Sequence, residues 1–175
     1  MPDIGIELIE LSEEALARMA DSGEEWARER QIRVGPHGTL LHEVAAGTLA
    51  FIRANGIPAR WGGYLAVDRS TRALLGTCGF KGAPDEAGRV EIAYFSFPGE
   101  EGRGVGTAMA RGLIELALRA PEVRTVVAHT LPRQSASTTI LKRLGFEHKG
   151  EVTDPEDGLV WRWEFTAGDR RRVQR

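Results

Sequence analysis

A turn with three alternate glycines, Gly102, Gly104 and Gly106, joins an apolar segment, RVEIAYFSF, to a helical segment, TAMARGLIELALRA. Glycine permits the left-handed backbone of a tight turn. The first turn of a helix offers unpaired N–H groups at the positive end of the helix dipole. Because such N–H groups bind phosphate oxygens well, the sequence predicts a phosphorylated ligand at this turn.

Two common nucleotide sites fit the glycine spacing poorly. A dinucleotide fingerprint needs a third Gly or Ala in the frame G-x-G-x-x-G, whereas the two frames here place Thr107 and Met109 in that position. A nucleoside triphosphate loop ends in Lys followed by Ser or Thr, and Lys81, Lys142 and Lys149 follow no such loop. Both common nucleotide sites are therefore weak interpretations of this turn.

Composition indicates one domain and no strong overall attraction to nucleic acid. The 175 residues are 42% hydrophobic, carry a formal net charge of -2 and give an isoelectric point near 6.1. That length and apolar fraction suit one core, so we assign residues 1–168 to a single domain and 169–175 to a basic tail. The tail, DRRRVQR, is more typical of a solvated terminus than of an RNA-binding arm.

The cysteine content and the apolar runs favour a cytoplasmic protein. Cys78 is the single cysteine, which excludes an internal disulfide framework and fits a reducing compartment. No segment reaches about 18 consecutive apolar residues, and MPDIGIELIE lacks the basic and apolar regions of a signal peptide. We expect a cytoplasmic protein without a membrane span, in which Cys78 is a small core residue.

The glycine turn must be positioned by the strands and helices around it. Apolar alternation and turn residues predict strands at IGIELIEL, GGYLAVD, ALLGTCGF, RVEIAYFSF, RTVVAHT, EHKGEVT and LVWRWEF. Helical spacing predicts a helix capped by Ser12, one at about 39–54, one from the glycine turn to Pro121, and one in SASTTILKRLGF. The three strands that precede the glycine turn are expected to form an antiparallel meander.

This order of elements, with a glycine turn at the third helix, resembles the GCN5-related N-acetyltransferase (GNAT) superfamily. GFKGAPDEAGRVEIAY, GRGVG, TLPRQSAS and LGF follow one another as in the branch that contains ribosomal-protein N-terminal acetyltransferases. The resemblance implies an α+β (mixed α/β) domain whose seven predicted strands form one mostly antiparallel sheet, flanked by four helices, with two central strands splayed apart. It also implies an acetyl-CoA-dependent N-acetyltransferase that acts on a primary amine.

The same resemblance assigns contacts with acetyl-CoA. It places the pyrophosphate on the N–H groups of Arg103, Gly104, Val105, Gly106 and Thr107, the pantetheine arm on the backbone of Phe95, Ser96 and Phe97, and a further contact at Gln134. Gln134 stands where the family has the shorter amide Asn. Glu101 opens the turn where the family has Arg or Gln. Since a carboxylate repels a pyrophosphate, we expect Glu101→Gln to leave or improve the affinity for acetyl-CoA.

Glu91 and Ser137 are the candidate catalytic residues. Strand alternation puts Glu91 on one face with Ala93 and Phe95, a small apolar surface where a carboxylate is suited to remove the proton of an ammonium group. The alternative is a structural carboxylate paired with Arg or Lys. Many superfamily members protonate the leaving thiolate with a Tyr where this chain has Leu141. Ser137, in the place of the branch's serine, is either a hydrogen-bond donor to the sulfur or only a helix cap.

Other side chains receive no chemistry. Tyr94 faces away from Glu91 and is expected to pack. The four histidines, His37, His42, His129 and His148, lack metal-ligand spacing, so no metal is assigned. His129 could approach the acceptor amine, although an ordinary hydrogen bond is the simpler interpretation. Trp161 and Trp163 alternate on the last predicted strand, which predicts packing or a dimer surface.

The acceptor and the function class stay open at this level. The first 30 residues hold nine Asp or Glu against three Arg, which would form either an acidic wall for a cationic amine or a solvated face. The acceptor is a peptide N-terminus or a small-molecule amine. Two other classes remain: a non-catalytic acyl-CoA sensor, and a nucleotide- or RNA-binding protein that uses the glycine turn and the Arg-rich tail. Homodimers are common among the resembling proteins, so the resemblance admits one here.

Overall fold

The structure of the chain is a computed structural model that describes residues 4–169. Its seven strands are β1 (Ile6–Glu10), β2 (Gly63–Asp68), β3 (Leu74–Phe80), β4 (Arg89–Ser96), β5 (Thr125–Thr130), β6 (Glu147–Asp154) and β7 (Gly158–Thr166). Its four α-helices are α1 (Glu13–Glu29), α2 (Gly38–Asn55), α3 (Val105–Leu118) and α4 (Ala136–Arg143). Each predicted strand and helix is therefore confirmed. Residues 170–175, which form most of the predicted tail, lie outside the described residues, and the domain boundary at residue 168 stays a prediction.

Local side chains set the ends of these elements as the sequence predicts. The Ser12 hydroxyl accepts a hydrogen bond from the backbone N–H of Ala15 at 3.1 Å and caps α1. Gly56 adopts the left-handed conformation, with φ of 61°, and ends α2. Asp154 accepts hydrogen bonds from the N–H groups of Glu156 and Asp157, at 2.8 and 2.9 Å, and shapes the turn between β6 and β7.

One mixed sheet of seven strands has the order β1-β2-β3-β4-β5-β7-β6. All neighbouring strands are antiparallel except β4 and β5, which are parallel. The parallel pairing extends over only three residue pairs, from Arg89 with Thr125 to Glu91 with Val127. Beyond that point both strands continue without pairing to each other, to Ser96 in β4 and Thr130 in β5. The α+β fold with a splayed central pair is thereby confirmed.

Two hydrophobic cores cover the two faces of the sheet. On one face, α3 and α4 pack against β4 and β5 through residues such as Met109, Leu113 and Leu141. On the other face, α1 and α2 pack against β2 through Met19, Leu41 and others. The sheet is thus the middle layer of three.

Two residues interpreted from the sequence lie where expected. The Cys78 thiol is buried, and burial raises its pKa above the ordinary range, so the thiol is an inert core group. Trp163 is buried and donates a hydrogen bond from Nε1 to the Thr130 hydroxyl at 3.0 Å. Packing is therefore the confirmed role of Trp163.

Within residues 4–169, no helix is both long and apolar enough to cross a membrane.

Candidate active site

The separation of β4 from β5 creates a cavity of about 470 Å³ at the centre of the sheet. Its walls come from β4, from the end of β5 and from the start of α4, and include Glu91, Tyr94, His129, Ser137 and Leu141. Glu91 lies at the last paired position, where the two strands begin to diverge. Both candidate catalytic residues, Glu91 and Ser137, therefore line one cavity, although 46 positions separate them in the sequence.

The register between β3 and β4 decides which backbone groups face this gap. The N–H of Phe97 donates to the carbonyl of Leu75 at 2.9 Å, and the N–H of Lys81 donates to the carbonyl of Glu91 at 2.9 Å. In an antiparallel pair the residues that bond to one neighbour alternate with residues whose backbone groups face the other side. Alternation therefore directs the backbone N–H and carbonyl groups of Tyr94 and Ser96 toward the gap.

This arrangement corrects two of the predicted contacts. The prediction of free backbone groups at Phe97 is wrong, because β3 uses its N–H, and Phe95 belongs to the same alternating set. Ser96 keeps the predicted orientation. Tyr94 takes the place of Phe95 as the next residue whose N–H and carbonyl face the gap. Strand alternation is readable from the sequence, but the partner strand on each edge is not.

The glycine turn presents five consecutive backbone N–H groups. Gly102 and Gly104 adopt left-handed conformations, with φ of 74° and 84°, and Gly104 is the N-cap of α3. Among the described residues, the N–H groups of 103–107 donate to no acceptor, whereas the N–H of Ala108 bonds to the carbonyl of Gly104 at 3.0 Å. The structure therefore places the five predicted pyrophosphate donors together at one helix start.

The acidic residues of the turn are held by the turn itself. The Glu101 carboxylate accepts a hydrogen bond from the N–H of Gly99 at 2.7 Å. Arg103 forms an ion pair with Glu100, so its charge is already partly compensated. Glu101 thus points back toward Gly99.

Glu91 has two polar partners: a lysine, as the structural alternative predicts, and a histidine. Its Oε1 atom lies 3.2 Å from Lys81 Nζ and 2.9 Å from His129 Nδ1. The expected apolar surroundings are therefore wrong: alternation identifies the residues of β4 on this face but not those that neighbouring strands add. Among the described residues, Oε2 accepts no hydrogen bond, which leaves one carboxylate oxygen available.

Lys81 is held in its charged form by this cluster. Burial by itself lowers the pKa of Lys81, but attraction to Glu91, with smaller contributions from Asp157 and Asp154, outweighs burial and raises the pKa above its ordinary value. His129 is mostly buried, and its Nε2 atom is without a hydrogen-bond partner among the described residues.

Ser137 is not a helix cap. Ser135 holds that position: its hydroxyl accepts from the N–H of Thr138 at 3.3 Å, and the Thr138 hydroxyl accepts from the N–H of Ser135 at 2.9 Å. Ser137 is the second residue of α4 and faces the cavity. The helix-cap alternative is therefore wrong, and a role as a hydrogen-bond donor stays a prediction.

Tyr94 packs as predicted and also lines this cavity. The ring packs against the core on the α3–α4 side, and the buried hydroxyl has no hydrogen-bond partner among the described residues. Burial raises the pKa of Tyr94 to about 12, and the nearby Ser137 hydroxyl partly offsets this rise. Leu141 is fully buried beside them. Tyr94 of β4 thus lines the same cavity as Leu141 of α4, the position at which many superfamily members have a Tyr.

Gln134, the remaining predicted coenzyme contact, lies on the surface before α4. Its side-chain oxygen accepts from the Thr138 hydroxyl at 3.4 Å and from Lys142 Nζ at 3.3 Å. Both bonds are with side chains of α4, so the amide is oriented by the helix it precedes. Its contact with a coenzyme stays a prediction.

An acidic turn borders the opposite side of Glu91. A second cavity, of about 440 Å³, is lined by Lys81 and Glu91 and by residues of the β6–β7 turn, including Asp154 and Glu156. No residue of the acidic first 30 lines this cavity or the one between the strands. The acidic wall predicted from the first helices is therefore absent from these two cavities, and the carboxylates come from the β6–β7 turn.

Within residues 4–169 there is no group of three or more His, Cys, Asp or Glu side chains placed to hold a metal ion.

The family of the chain follows from its sequence as a whole. The profile of the acetyltransferase (GNAT) domain matches residues 6–147, so the chain belongs to this family. An uncharacterized N-acetyltransferase, p20, of Bacillus licheniformis is 28% identical over 93 residues, which are 53% of this chain and 52% of that protein. The chain thus spans about half the length of this curated relative.

Solved structures share the fold at lower identity. The aminoglycoside acetyltransferase AAC(6')-Ib in complex with coenzyme A aligns with a TM-score of 0.67 at 20% identity, covering 98% of this chain and 100% of that one. The ribosomal L7/L12 alpha-N-protein acetyltransferase RimL, in complex with coenzyme A, aligns with a TM-score of 0.63 at 14% identity, covering 92% and 93%. The resemblance to the superfamily is confirmed, and a ribosomal-protein acetyltransferase is among the proteins with this fold.

Proposed function

We propose that the protein is an N-acetyltransferase that transfers the acetyl group of acetyl-CoA to a primary amine by direct attack on the thioester. The observation that carries the proposal is the separation of β4 from β5 at Glu91, beside a turn with five unpaired N–H groups. The glycine turn suits a pyrophosphate, and the Glu91 carboxylate lies at the cavity between the two strands.

The residues present fit coenzyme A. The N–H groups of Arg103, Gly104, Val105, Gly106 and Thr107 would bind the pyrophosphate, and the Glu101 carboxylate accepts a hydrogen bond from the N–H of Gly99. The backbone groups of Tyr94 and Ser96, which lack a partner strand on the β5 side, would pair with the amide groups of the pantetheine arm. The two solved structures named above contain coenzyme A, which supports this assignment.

Acetyl-CoA would supply a thioester whose carbonyl carbon the amine attacks, so that a C–N bond forms and the C–S bond breaks. Glu91 Oε2 would accept the ammonium proton, directly or through water, while Lys81 and His129 hold Oε1. The N–H of Tyr94 would polarise the thioester carbonyl as an oxyanion hole does. Ser137 would donate a hydrogen bond to the departing sulfur. Holding both reactants in the gap also removes much of the bimolecular entropy cost.

The acceptor class rests on the acidic turn. Asp154, Glu156 and Asp157 lie beside Glu91 and favour an approaching ammonium group. Proteins of the same fold are named for aminoglycosides and for a ribosomal protein N-terminus. The acceptor is therefore proposed to be a primary amine of a small molecule or of a peptide N-terminus. A homodimer and a cytoplasmic location stay predictions.

Release of free thiol from acetyl-CoA, measured with a panel of primary amines, tests the proposal. Glu91→Gln is expected to lower kcat/KM by about 10²- to 10⁴-fold, because the general base is lost. Its affinity for coenzyme A, measured by calorimetry, should stay unchanged. The matched control is Glu86→Gln, which removes the same charge from an exposed position in the loop before β4. Equal turnover in Glu91→Gln and wild type would reject the role of Glu91.

A non-catalytic acyl-CoA sensor is the second candidate. The pairing of Glu91 with Lys81 and His129 favours it, since a carboxylate already bound by two donors is also what a structural role requires. The same assay separates the two functions. A sensor binds coenzyme A by calorimetry but releases no thiol above the uncatalysed rate with any amine.

A further inference from the structure

An apolar cleft lies on the α2 side of the sheet, next to the cavities that Glu91 lines. It has a volume of about 380 Å³, and most of its lining is apolar or glycine, with Phe51 of α2 and Phe95 of β4 among the walls. The charged residues of its lining are Lys81 and Glu156. Since Lys81 and Ala93 also line the gap between β4 and β5, the cleft continues toward the proposed reaction centre.

Two large aromatic side chains are exposed at this cleft. Phe51 is 37% exposed and Phe95 is 50% exposed. Phe95 shares its face of β4 with Glu91 and Ala93, so its ring borders the route from the cleft to the carboxylate. An exposed apolar surface that converges on a polar reacting group is typical of a binding site for an apolar ligand group.

The glycines of the cleft separate into two kinds. A Cβ at Gly63 would lie 2.9 Å from Thr48 Cγ2, and a Cβ at Gly79 would lie 2.4 Å from the carbonyl oxygen of Gly62, so packing within the protein requires both. A Cβ at Gly47 would meet nothing within 4 Å. Gly47 lies inside α2, where glycine is less favourable than alanine. Internal packing therefore does not explain Gly47, whereas a ligand that lies against the helix backbone would.

We infer that the cleft binds the apolar body of the acceptor, so that the substrate is a primary amine carrying a phenyl-sized apolar group. This inference rests on the proposed acetyl transfer. The ammonium group would lie between the acidic β6–β7 turn and Glu91, and the apolar group would lie between Gly47 and Phe95. A polyamine or an aminoglycoside fits this cleft less well, because most of its length would contact apolar side chains without hydrogen-bond partners.

Acetylation of 2-phenylethylamine, ethylamine and spermidine by the whole protein tests the inference. 2-Phenylethylamine is expected to exceed ethylamine in kcat/KM by about tenfold to a hundredfold, which is the effect of burying one aromatic group. Gly47→Leu, which fills the cleft, should lower kcat/KM for 2-phenylethylamine about tenfold and leave that for ethylamine within about twofold. It should also raise the unfolding temperature, since leucine favours a helix over glycine.

Ala46→Leu is the control variant. Ala46 is the neighbouring exposed residue of α2 and does not line the cleft, so the same side chain added there should not change the preference between the two amines. Preference for spermidine over 2-phenylethylamine, with no selective effect of Gly47→Leu, would overturn the inference and leave acetyl transfer intact.

If no amine is acetylated, the proposed function fails, and binding then decides the inference. The probe is 2-phenylethylamine, titrated by calorimetry into the protein saturated with coenzyme A. Binding that Gly47→Leu weakens about tenfold and Ala46→Leu does not would support the cleft as an amine site. Equal binding to all three proteins, or none to the wild type, would overturn it.

Discussion

The two sides of the proposed reaction centre are built in different ways. Most of the coenzyme side, comprising the end of β4, the glycine turn and the start of α3, comes from one stretch of chain, 94–107, and only Gln134 and Ser137 are added from the region where α4 begins. The acceptor side comes from α2, the end of β3, β4 and the β6–β7 turn, which range from Gly47 to Asp157. A contiguous site leaves a readable motif in the sequence, whereas a site assembled from distant segments leaves none.

Gly104→Val is expected to weaken coenzyme A binding more than tenfold, or by more than about 1.4 kcal/mol. Gly104 has a φ of 84°, which is unfavourable for a β-branched residue. Valine is therefore expected to change the backbone conformation of the turn and so the direction of its N–H groups. Calorimetry measures the affinity.

Gly56→Val is the matched control, because Gly56 has a φ of 61° at the end of α2, far along the chain from the turn. Both variants should lose stability, but only Gly104→Val should lose affinity. Equal losses of affinity would show that coenzyme A binding depends on global stability and not on the conformation of the turn.

Tyr94→Phe should lower turnover about tenfold, because the hydroxyl is expected to donate toward the developing thiolate, beside Ser137. The variant should also gain up to about 1 kcal/mol of unfolding free energy without ligand, since it removes a buried hydroxyl that has no partner among the described residues. Thiol-release kinetics and urea denaturation measure the two effects.

The other tyrosine provides the control. The Tyr64 hydroxyl donates to the carbonyl of Arg60 at 2.8 Å, so Tyr64→Phe should lose about 1 kcal/mol and keep its turnover. A loss of stability in Tyr94→Phe would mean that the hydroxyl has a structural role. Tyr94 would then contribute only its backbone groups to the coenzyme side.

Lys81→Met tests the acceptor side through pH. The pKa of Lys81 is raised in the folded protein, so its stabilising contribution is complete below the unfolded value of about 10.4 and is lost as pH rises through the higher folded value. The difference in unfolding free energy between wild type and Lys81→Met should therefore be constant from neutral pH to about pH 10 and shrink above it. A difference that grows above about pH 10 would contradict the cluster of Lys81 with Glu91.

Glu101→Gln should have the smallest effect, leaving coenzyme A affinity unchanged or improving it by less than about tenfold. The glutamine oxygen can still accept the hydrogen bond from the N–H of Gly99, so the turn keeps its shape while a negative charge is removed. Calorimetry at low and high salt checks the result, because salt screens a repulsive charge. Much weaker binding of coenzyme A by Glu101→Gln would mean that the Glu101 carboxylate contributes to coenzyme binding and does not oppose it.

Most of the fold follows from local signals. Ser12, Gly56 and the Asp154 turn end their elements where their types predict, and the seven strands appear in the predicted order. These features depend on neighbouring residues, whose spacing the sequence gives directly. Ser137 shows the limit: two serines, Ser135 and Ser137, could each cap α4, and the backbone conformation at Ser135 decides between them.

The candidate site was predictable in part. The sequence alone placed Glu91 on one strand face and the glycine turn at a helix start, because alternation and glycine conformation are properties of the local chain. The tertiary structure alone decided that Lys81 and His129 bind Glu91, that β3 uses the N–H of Phe97, and that Tyr94 lines the cavity. These contacts depend on which strands become neighbours and in what register, and residues far apart in the sequence settle that only when they pack together.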